Sequence, residues 1–512
     1  MANYGKKLVQ GTIIIMLFVI FSSMLGYAQK LLFAKTINVA DIGLFFSVLS
    51  FVTFFSFLRD LGLSESLVYF IPRFIIKKSK NKIKSSILFT VRMQVICGIL
   101  ISVFFVFSSG LLAKLYFKDP RAQILLIALA VYFVIEGFLE ALYSTFHAYQ
   151  NMVLYQGVEF CFQLLAFLFF LVVILNNYSI YYFGLVYVIG AIITSIIFLI
   201  IFLKKIFPGF FSTPCYPINK IKKRMISYSI PTMTASFAFQ IFGQQTIFFL
   251  TYFVGLDSVG YYVMAMSLAK ATIFFLKAMI QVFFPMMSEL WEKKDIKGLN
   301  YYFSELITYS YLIAIPASLT LFLFSEEILR ILYAETFVKA AFLLRIFAVY
   351  FLFYSFNGIM KRVFLSKGLP KEARNITYIT VIANIILNIV LIPSMGLLGA
   401  GLSDLMCVII GAMYTVYLKN KYLEVRLPIK RMLKILMSSL FFVVVIIFLK
   451  RIINVDIYLK LLITLFVSGC IYLVSLLVLR IVSFTKINRI IGIASNNRLR
   501  LPFFKFEPEE TR

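Results

Sequence analysis

The fold is decided by residues 41–78, which read DIGLFFSVLSFVTFFSFLRDLGLSESLVYFIPRFIIKK. About 30 of these residues form a mostly apolar run, enough to cross a bilayer with some tilt. The run ends in the basic cluster that is typical of a cytoplasmic loop. Arg59 and Asp60 lie well inside it, where each charge costs roughly 2.5–3.5 kcal/mol at the membrane centre. We therefore predict a membrane helix whose two charged residues face protein or water rather than lipid.

The composition of the whole chain agrees with this interpretation. Of 512 residues, 62% are hydrophobic and 14% are charged, whereas soluble domains are about 45–50% apolar. The formal net charge of +28 would suggest nucleic acid in a soluble protein. Here Lys and Arg gather in alternate loops, where they set membrane orientation and attract anionic membrane lipids. We predict an all-α polytopic membrane protein that has no nucleic-acid partner.

The chain offers little for metal or histidine chemistry. His147 is the one histidine, and the five cysteines are scattered without a CxxC or Cys/His spacing. Zinc sites and histidine-based triads need such residues close together. We therefore expect no metal site, no cofactor and no catalytic triad.

Hydropathy along the chain predicts about 14 membrane spans, an even number that places both termini in the cytoplasm of a cell-membrane protein. The predicted spans cover residues 8–32, 41–78, 85–112, 122–149, 153–175, 179–203, 225–253, 301–324, 336–363, 376–392, 399–417, 432–448 and 458–482, with span eight between 260 and 291.

The two halves of the chain resemble each other. Asp41-Ile42-Gly43 introduces span two as Ser258-Val259-Gly260 introduces span eight, and residues 130–133 recur as 348–351 at nearly the same offset. Equal offsets at equivalent spans suggest a duplicated six-helix unit. The predicted domains are a first bundle over 1–205, a cytoplasmic connector over 206–224, a second bundle over 225–424, two additional membrane helices over 425–484 and a basic cytoplasmic tail over 485–512.

Four cations within the spans are predicted at a similar depth: Arg59, Arg92, Lys270 and Lys277. They fit a cationic chamber that holds a diphosphate, because Arg forks onto phosphate oxygens and Lys acts as a mobile point charge. The alternative is that ion pairs neutralise them and specify only packing. The acids available for pairing are Asp60, Glu136, Glu140, Glu159 and Asp404, and all of them except Glu159 are also candidates for coupling to an ion gradient.

Short motifs carry a resemblance to a known family. They are residues 41–43 and 58–63 of span two, 257–262 and Pro285 of span eight, and 396–402 at the entry to span twelve. On these motifs and the span count, the chain resembles the polysaccharide and O-antigen flippases of the multidrug/oligosaccharidyl-lipid/polysaccharide exporter superfamily.

The resemblance implies a V-shaped pair of six-helix, MATE-like bundles with two trailing helices. It also implies alternating-access transfer of a lipid-linked oligosaccharide, on a polyprenyl phosphate or diphosphate, from the cytoplasmic to the outer leaflet. The implied partners are the lipid-linked substrate, membrane lipids and glycan polymerases or glycosyltransferases around a monomeric transporter.

Two other functions stay open. A cation-coupled multidrug antiporter of the same superfamily would use Asp60, Glu136, Glu140 or Asp404 as its coupling acid. A membrane glycan-processing enzyme would need catalytic groups on sizeable loops, but most outer loops have only the ordinary ~2–8 residues. The longest outer segment, 325–335, holds Glu326, Glu327 and Glu335 without a catalytic motif, so we expect no enzyme.

Overall fold

The computed structural model describes residues 2–453 and 455–481, and within these residues the regular structure is helical. The helices are α1 (Ala2–Thr36), α2 (Val39–Phe54), α3 (Ser56–Asp60), α4 (Leu63–Ile76), α5 (Lys80–Leu112), α6 (Arg121–Ala148), α7 (Met152–Leu175), α8 (Tyr181–Ile201), α9 (Ile218–Phe253), α10 (Leu256–Lys270), α11 (Phe274–Glu292), α12 (Ile296–Leu323), α13 (Ser325–Leu332), α14 (Ala341–Ser366), α15 (Pro370–Tyr422), α16 (Ile429–Ile452) and α17 (Ile457–Val478). The predicted tail over 485–512 lies outside the described residues.

The all-helical membrane fold is confirmed. Ten helical stretches among the described residues are long and apolar enough to cross a membrane. One of them, α15, contains two predicted spans, because Gly396 adopts φ 58° and ψ −129° in its middle. Span eight consists of α10 and α11, joined by the short turn Ala271–Ile273. Several helices extend past the apolar run, as α5 does when it begins at Lys80, because a helix continues into the polar interface.

Span two is not the single continuous helix that the sequence predicts. It consists of α2, α3 and α4, and Leu61 and Gly62 adopt positive φ values of 52° and 73° between α3 and α4. Glycine is required at position 62 for two reasons. It adopts a positive φ without strain, and a Cβ at this position would overlap the carbonyl oxygen of Ser229 on α9. The break places Arg59 and Asp60 on one isolated helical turn.

Helix packing repeats between the two halves. In the first half α1 packs on α7, α5 on α6 and α6 on α8. In the second half α9 packs on the first part of α15 through the Gln245–Asn384 hydrogen bond, α12 on α14, and α14 on the second part of α15 through Asn357 and Val408. These pairs correspond in chain order, as expected for a duplicated unit. The domain boundaries themselves stay a prediction.

The two halves contact each other at both ends of the molecule. Following the orientation prediction, we name the end where α2 and α10 begin the predicted outer end, and the opposite one the predicted inner end. At the predicted outer end α2 lies against α10. At the predicted inner end α9 packs on α4, where the rings of Tyr69 and Tyr228 stack with centroids 4.2 Å apart.

An ion triad fixes the predicted outer end of the first half. The Arg121 guanidinium donates to Asp41 Oδ1 at 2.6 Å and to Asp119 Oδ2 at 2.8 Å. Asp119 lies in the loop before α6, and its hydrogen bonds with Arg121 lower the pKa of its carboxyl. The triad ties the first turn of α2 to the start of α6, which gives Asp41 of the 41–43 motif a packing role.

Candidate functional site

Arg59 is the centre of a buried ion-pair cluster. Its Nη1 donates to Glu136 Oε2 at 2.7 Å and to the Phe133 carbonyl oxygen at 2.7 Å, and its Nη2 donates to Glu140 Oε2 at 2.7 Å. The guanidinium also lies over the Phe133 ring, 4.5 Å from its centroid. Arg59 is only 1% exposed, whereas the side chains of Glu136 and Glu140 are 27% and 32% exposed. We call Arg59, Glu136 and Glu140 the Arg59 cluster.

Local backbone shape makes room for this cluster. Glu136 and Glu140 are one helical turn apart on α6, so both carboxylates face Arg59. Gly137 lies between them, and a Cβ there would come within 3.0 Å of Arg59 Cδ. Glycine at this position therefore lets the arginine side chain lie directly against α6.

Asp60 has different partners from its neighbour Arg59. Its Oδ1 accepts from Gln94 Nε2 at 2.7 Å and from the backbone N–H of Ser64 at 3.0 Å. The carboxylate therefore caps the start of α4 and joins it to α5. Both charged residues inside the apolar run face protein, as predicted.

Of the predicted group of four cations, Arg59 follows the alternative interpretation, in which ion pairs neutralise the cation. Arg59 is neutralised by two acids, so the expectation of a cation without acid partners is wrong for this residue. The physical reason is its burial, since a guanidinium out of water needs carboxylates or carbonyl groups around it. The assignment of Arg59 to substrate binding stays a prediction, but its guanidinium is enclosed in this conformation.

Arg92 does not join the Arg59 cluster. It is exposed on α5, on the same helical face as the exposed apolar residues Ile96, Ile99 and Val103. Gln94, two residues further on, points to the opposite side and contacts Asp60. A long cation on such a lipid-facing surface extends its charge toward the headgroups. The substrate-binding role of Arg92 stays a prediction. In that role Arg92 would act apart from the Arg59 cluster.

Lys270 lies on a helix that contacts α1, which carries a lysine that the sequence pattern did not single out. Lys270 ends α10 and is exposed, while Lys30 is half-buried on α1. The Lys30 ammonium lies 5.9 Å from the centroid of the Phe46 ring. We call Lys30 and Lys270 the lysine pair. One member comes from each half of the chain, as expected for a site between two bundles.

Lys277 lies on α11, and its side chain is outside the part of the molecule that the structure describes. Its predicted role therefore stays a prediction.

Asp404 stands in a second buried polar cluster, in the second half. Its Oδ1 accepts from Thr246 Oγ1 at 3.0 Å and from Asn384 Nδ2 at 3.0 Å, and its Oδ2 accepts from Tyr262 O–H at 2.6 Å. Asp404 is 5% exposed, and none of its hydrogen-bond donors among the described residues is positively charged. Asn388 donates to Thr246 at 3.2 Å, and the side-chain oxygen of Asn388 has no partner in the described structure. We call these residues the Asp404 cluster.

The residues of these clusters that the sequence prediction did not include have only weak signals in the sequence. Lys30 is the one cation in the apolar part of span one, but its position near the end resembles an ordinary flanking lysine. Gln94, Asn384 and Asn388 are uncharged and carry little weight in a hydropathy pattern. Their importance follows from the carboxylates that they contact.

A bundle of membrane helices with an internal repeat and polar clusters between its helices defines a polytopic transporter fold. The chain belongs to the polysaccharide biosynthesis protein family, whose family model matches residues 8–291. A second family model, MatE, matches residues 231–393. Together these matches support the multidrug/oligosaccharidyl-lipid/polysaccharide exporter superfamily that the sequence motifs resemble.

Relatives and solved structures agree with this family. An uncharacterized membrane protein, MJ1068 of Methanocaldococcus jannaschii, is 27% identical over 92% of this chain and 94% of its own length. A probable low-salt glycan biosynthesis flippase of Haloferax volcanii, Agl15, is 25% identical over 50% of this chain and 54% of its own length.

Among solved structures, the lipid II flippase MurJ in an inward closed conformation superposes with a TM-score of 0.74 at 18% identity, over 90% of this chain and 98% of MurJ. An inward-facing multidrug resistance MATE transporter superposes with a TM-score of 0.64 at 14% identity, over 77% of this chain and 94% of that protein. At these identities the two structures show a shared fold. The names given to Agl15, MurJ and the MATE protein describe flippases and a transporter.

Proposed function

We propose that this protein moves a lipid-linked oligosaccharide from the cytoplasmic to the outer leaflet of the cell membrane by alternating access. The observation that carries the proposal is the lysine pair, in which one cation from each half of the chain lies on one of two helices, α1 and α10, that contact each other. A phosphate or diphosphate between these two helices would attract both ammonium groups.

Contacts between the halves support alternating access. Gly43 and Gly260 close the predicted outer end, while α9 and α4 close the predicted inner end. An alternating-access transporter needs two such contacts between its halves, which open in turn. The basic loops at the predicted inner end favour a cytoplasmic orientation for that end and for both termini.

An apolar cavity in the second half supports a lipid substrate over a water-soluble one. It has a volume of about 690 Å³ and lies between α12, α14, α15 and α16. Its walls include Ile315, Leu352, Phe356, Met413 and Leu436. We propose that part of a polyprenyl tail occupies this cavity while the phosphate is held by the lysine pair. The protein would then act as a transporter and not as an enzyme, with glycosyltransferases or polymerases acting before or after it.

A cation-coupled antiporter is the second candidate, and the Asp404 cluster favours it. A buried carboxylate that is held only by neutral donors is a suitable binding group for a proton or a metal cation. The same cluster is compatible with a flippase driven by an ion gradient, in which Asp404 is the coupling acid. Efflux of a cationic dye that is abolished by Asp404→Asn would favour the antiporter over the flippase.

Deletion of the gene tests the proposed function. Lipid extracts of the deletion strain should accumulate a lipid-linked glycan that mass spectrometry identifies, and wild-type protein should remove it. Lys270→Ala should fail to remove it at an equal protein level in the membrane. An unchanged lipid-linked pool in the deletion strain would contradict the proposal.

A further inference from the structure

Helix α10 connects the predicted outer contact to the Asp404 cluster. On one side Gly260 lies against the backbone of α2, where a Cβ would overlap the carbonyl oxygen of Val39. Tyr262 follows two residues later, which turns its side chain about 200° around the helix axis. Its O–H donates to Asp404 Oδ2 at 2.6 Å. One helix of 15 residues therefore contacts the first half on one face and a buried carboxylate of the second half on the other.

The hydrogen bond from Tyr262 depends on the charge of Asp404. Among the hydrogen bonds of the described residues, Asp404 Oδ2 accepts from Tyr262 alone, whereas Oδ1 accepts from Thr246 and Asn384. Tyr262 is 6% exposed, and its ring meets the ring of Phe347 edge to face with centroids 5.4 Å apart, so packing directs the hydroxyl. A hydrogen bond to an ionised carboxylate is about twice as strong as one between neutral groups. Neutralising Asp404 would therefore weaken the attachment of α10.

The equivalent helix of the first half is attached differently. The offset between the two glycines of the outer contact also relates Phe45 to Tyr262 and Tyr187 to Asp404. Phe45 is fully buried, and its ring meets the Tyr187 ring edge to face with centroids 5.6 Å apart. Packing of aromatic rings does not require an ionised partner. At these equivalent positions α2 is thus held by an aromatic contact and α10 by a charged hydrogen bond, and the hydrogen bond is the contact that can respond to a cation.

Helix α10 can change direction at its end. Lys270 is its last residue, and the 3₁₀ turn Ala271–Ile273 separates it from α11 inside predicted span eight. In this turn the Thr272 hydroxyl donates to the Ala269 carbonyl oxygen at 2.8 Å. A 3₁₀ stretch within a helix often marks a hinge. The turn therefore allows α10 to tilt away from α2 while α11 keeps its position.

We infer that Tyr262 is a positioning residue whose hydrogen bond to Asp404 holds α10 against α2 and so keeps the predicted outer end closed. The inference rests on the proposed alternating access and adds a link between the buried carboxylate and that end. A cation that neutralises Asp404 weakens the hydrogen bond, and α10 then bends at Ala271–Ile273 and leaves Val39. The carboxylate thereby controls a contact between the two halves from its position in the second half.

The test measures how often the predicted outer end is open in the full chain in lipid nanodiscs. Spin labels at Ser179→Cys, in the exposed loop before α8, and Asp257→Cys, exposed on α10, report their separation by double electron–electron resonance in a cysteine-free background. We expect Tyr262→Phe, which removes only the hydroxyl, to raise the ratio of long to short distances about tenfold. Tyr261→Phe is the same change one residue earlier, where the ring packs on Phe337. As the matched control it should leave the ratio within twofold of wild type.

Asp404→Asn provides a second variant, since it keeps Tyr262 and removes the charge. It should raise the same ratio, and Tyr262→Phe added to it should change the ratio less than twofold further, because both changes act on one hydrogen bond. An unchanged ratio in both single variants, an equal shift in Tyr261→Phe, or fully additive effects would overturn the inference. The distances are measured without substrate, so the expected shift in a protein that transports no lipid-linked glycan would contradict the proposed function alone. Unchanged ratios in a protein that does transport it would contradict the inference alone.

Discussion

Gly43 on α2 and Gly260 on α10 occupy equivalent positions in the two halves and pack against each other's helices. A Cβ on Gly43 would overlap the carbonyl oxygen of Leu256, and a Cβ on Gly260 would overlap that of Val39. The two backbones therefore touch directly at the predicted outer end. This contact brings together the two motifs that indicated an internal repeat in the sequence.

Replacing either glycine by a larger residue should open the predicted outer end. Gly260→Val forces α10 away from Val39, because the added methyl groups have no space. We expect Lys270→Cys, in a cysteine-free background, to react faster with a membrane-impermeant maleimide when Gly260→Val is present. Gly358→Val is the matched control, since a Cβ at Gly358 meets nothing within 4 Å. Equal labelling rates in both backgrounds would show that the glycine contact does not close the molecule.

Removing both acids of the Arg59 cluster should destabilise the protein strongly. Glu136→Gln/Glu140→Gln leaves a guanidinium that is 1% exposed without a carboxylate partner, which costs roughly 3–5 kcal/mol. Thermal unfolding followed by size-exclusion chromatography should show a larger loss for the double variant than the two single losses added together. Adding Arg59→Met should restore much of the stability, because it removes the buried charge. No recovery in the triple variant would contradict the charge argument.

Asp404→Asn should uncouple transport from its driving gradient. The variant keeps the size of the side chain and removes the charge from a buried group held by Thr246, Tyr262 and Asn384. In proteoliposomes, an imposed proton or sodium gradient should accelerate wild-type transport and leave the variant unaffected. Asp456→Asn, at the start of α17, is the control and should respond like wild type. A gradient response that survives Asp404→Asn would place coupling elsewhere.

The Arg121 triad should make stability depend on pH in the acidic range. Its hydrogen bonds lower the pKa of Asp119 below the ordinary value of 3.8, so the ionised carboxylate stabilises the folded state above that value. The contribution is lost as the pH falls through the lowered folded pKa. Asp119→Asn should cost roughly 1 kcal/mol at neutral pH, and the difference from wild type should shrink below about pH 4. A difference that is constant between pH 7 and pH 3 would contradict this role.

The sequence was enough to predict the class of fold. It also singled out Arg59 and Asp60, because charges inside an apolar run must face protein or water rather than lipid. For Arg59 it gave Glu136 and Glu140 only as two of several possible ion-pair acids. Glu136 and Glu140 lie 77 and 81 residues from Arg59, and only the packing of α3 on α6 decides that they neutralise it. Lys30 was missed for a related reason, since its importance comes from the contact of α1 with α10, the helix that carries Lys270. The break at Gly62 also depends on tertiary contact, because α9 approaches too closely for any side chain there.

The most direct test of the account is a flipping assay with purified protein in proteoliposomes. A fluorescent lipid-linked glycan is placed in both leaflets, and dithionite bleaching reports how fast it crosses. We expect wild-type protein to transfer the probe, and Lys30→Ala/Lys270→Ala to reduce the rate at least tenfold, because the phosphate loses both cations of its site. Transfer at the wild-type rate by the double variant, at an equal amount of folded protein, would contradict the account.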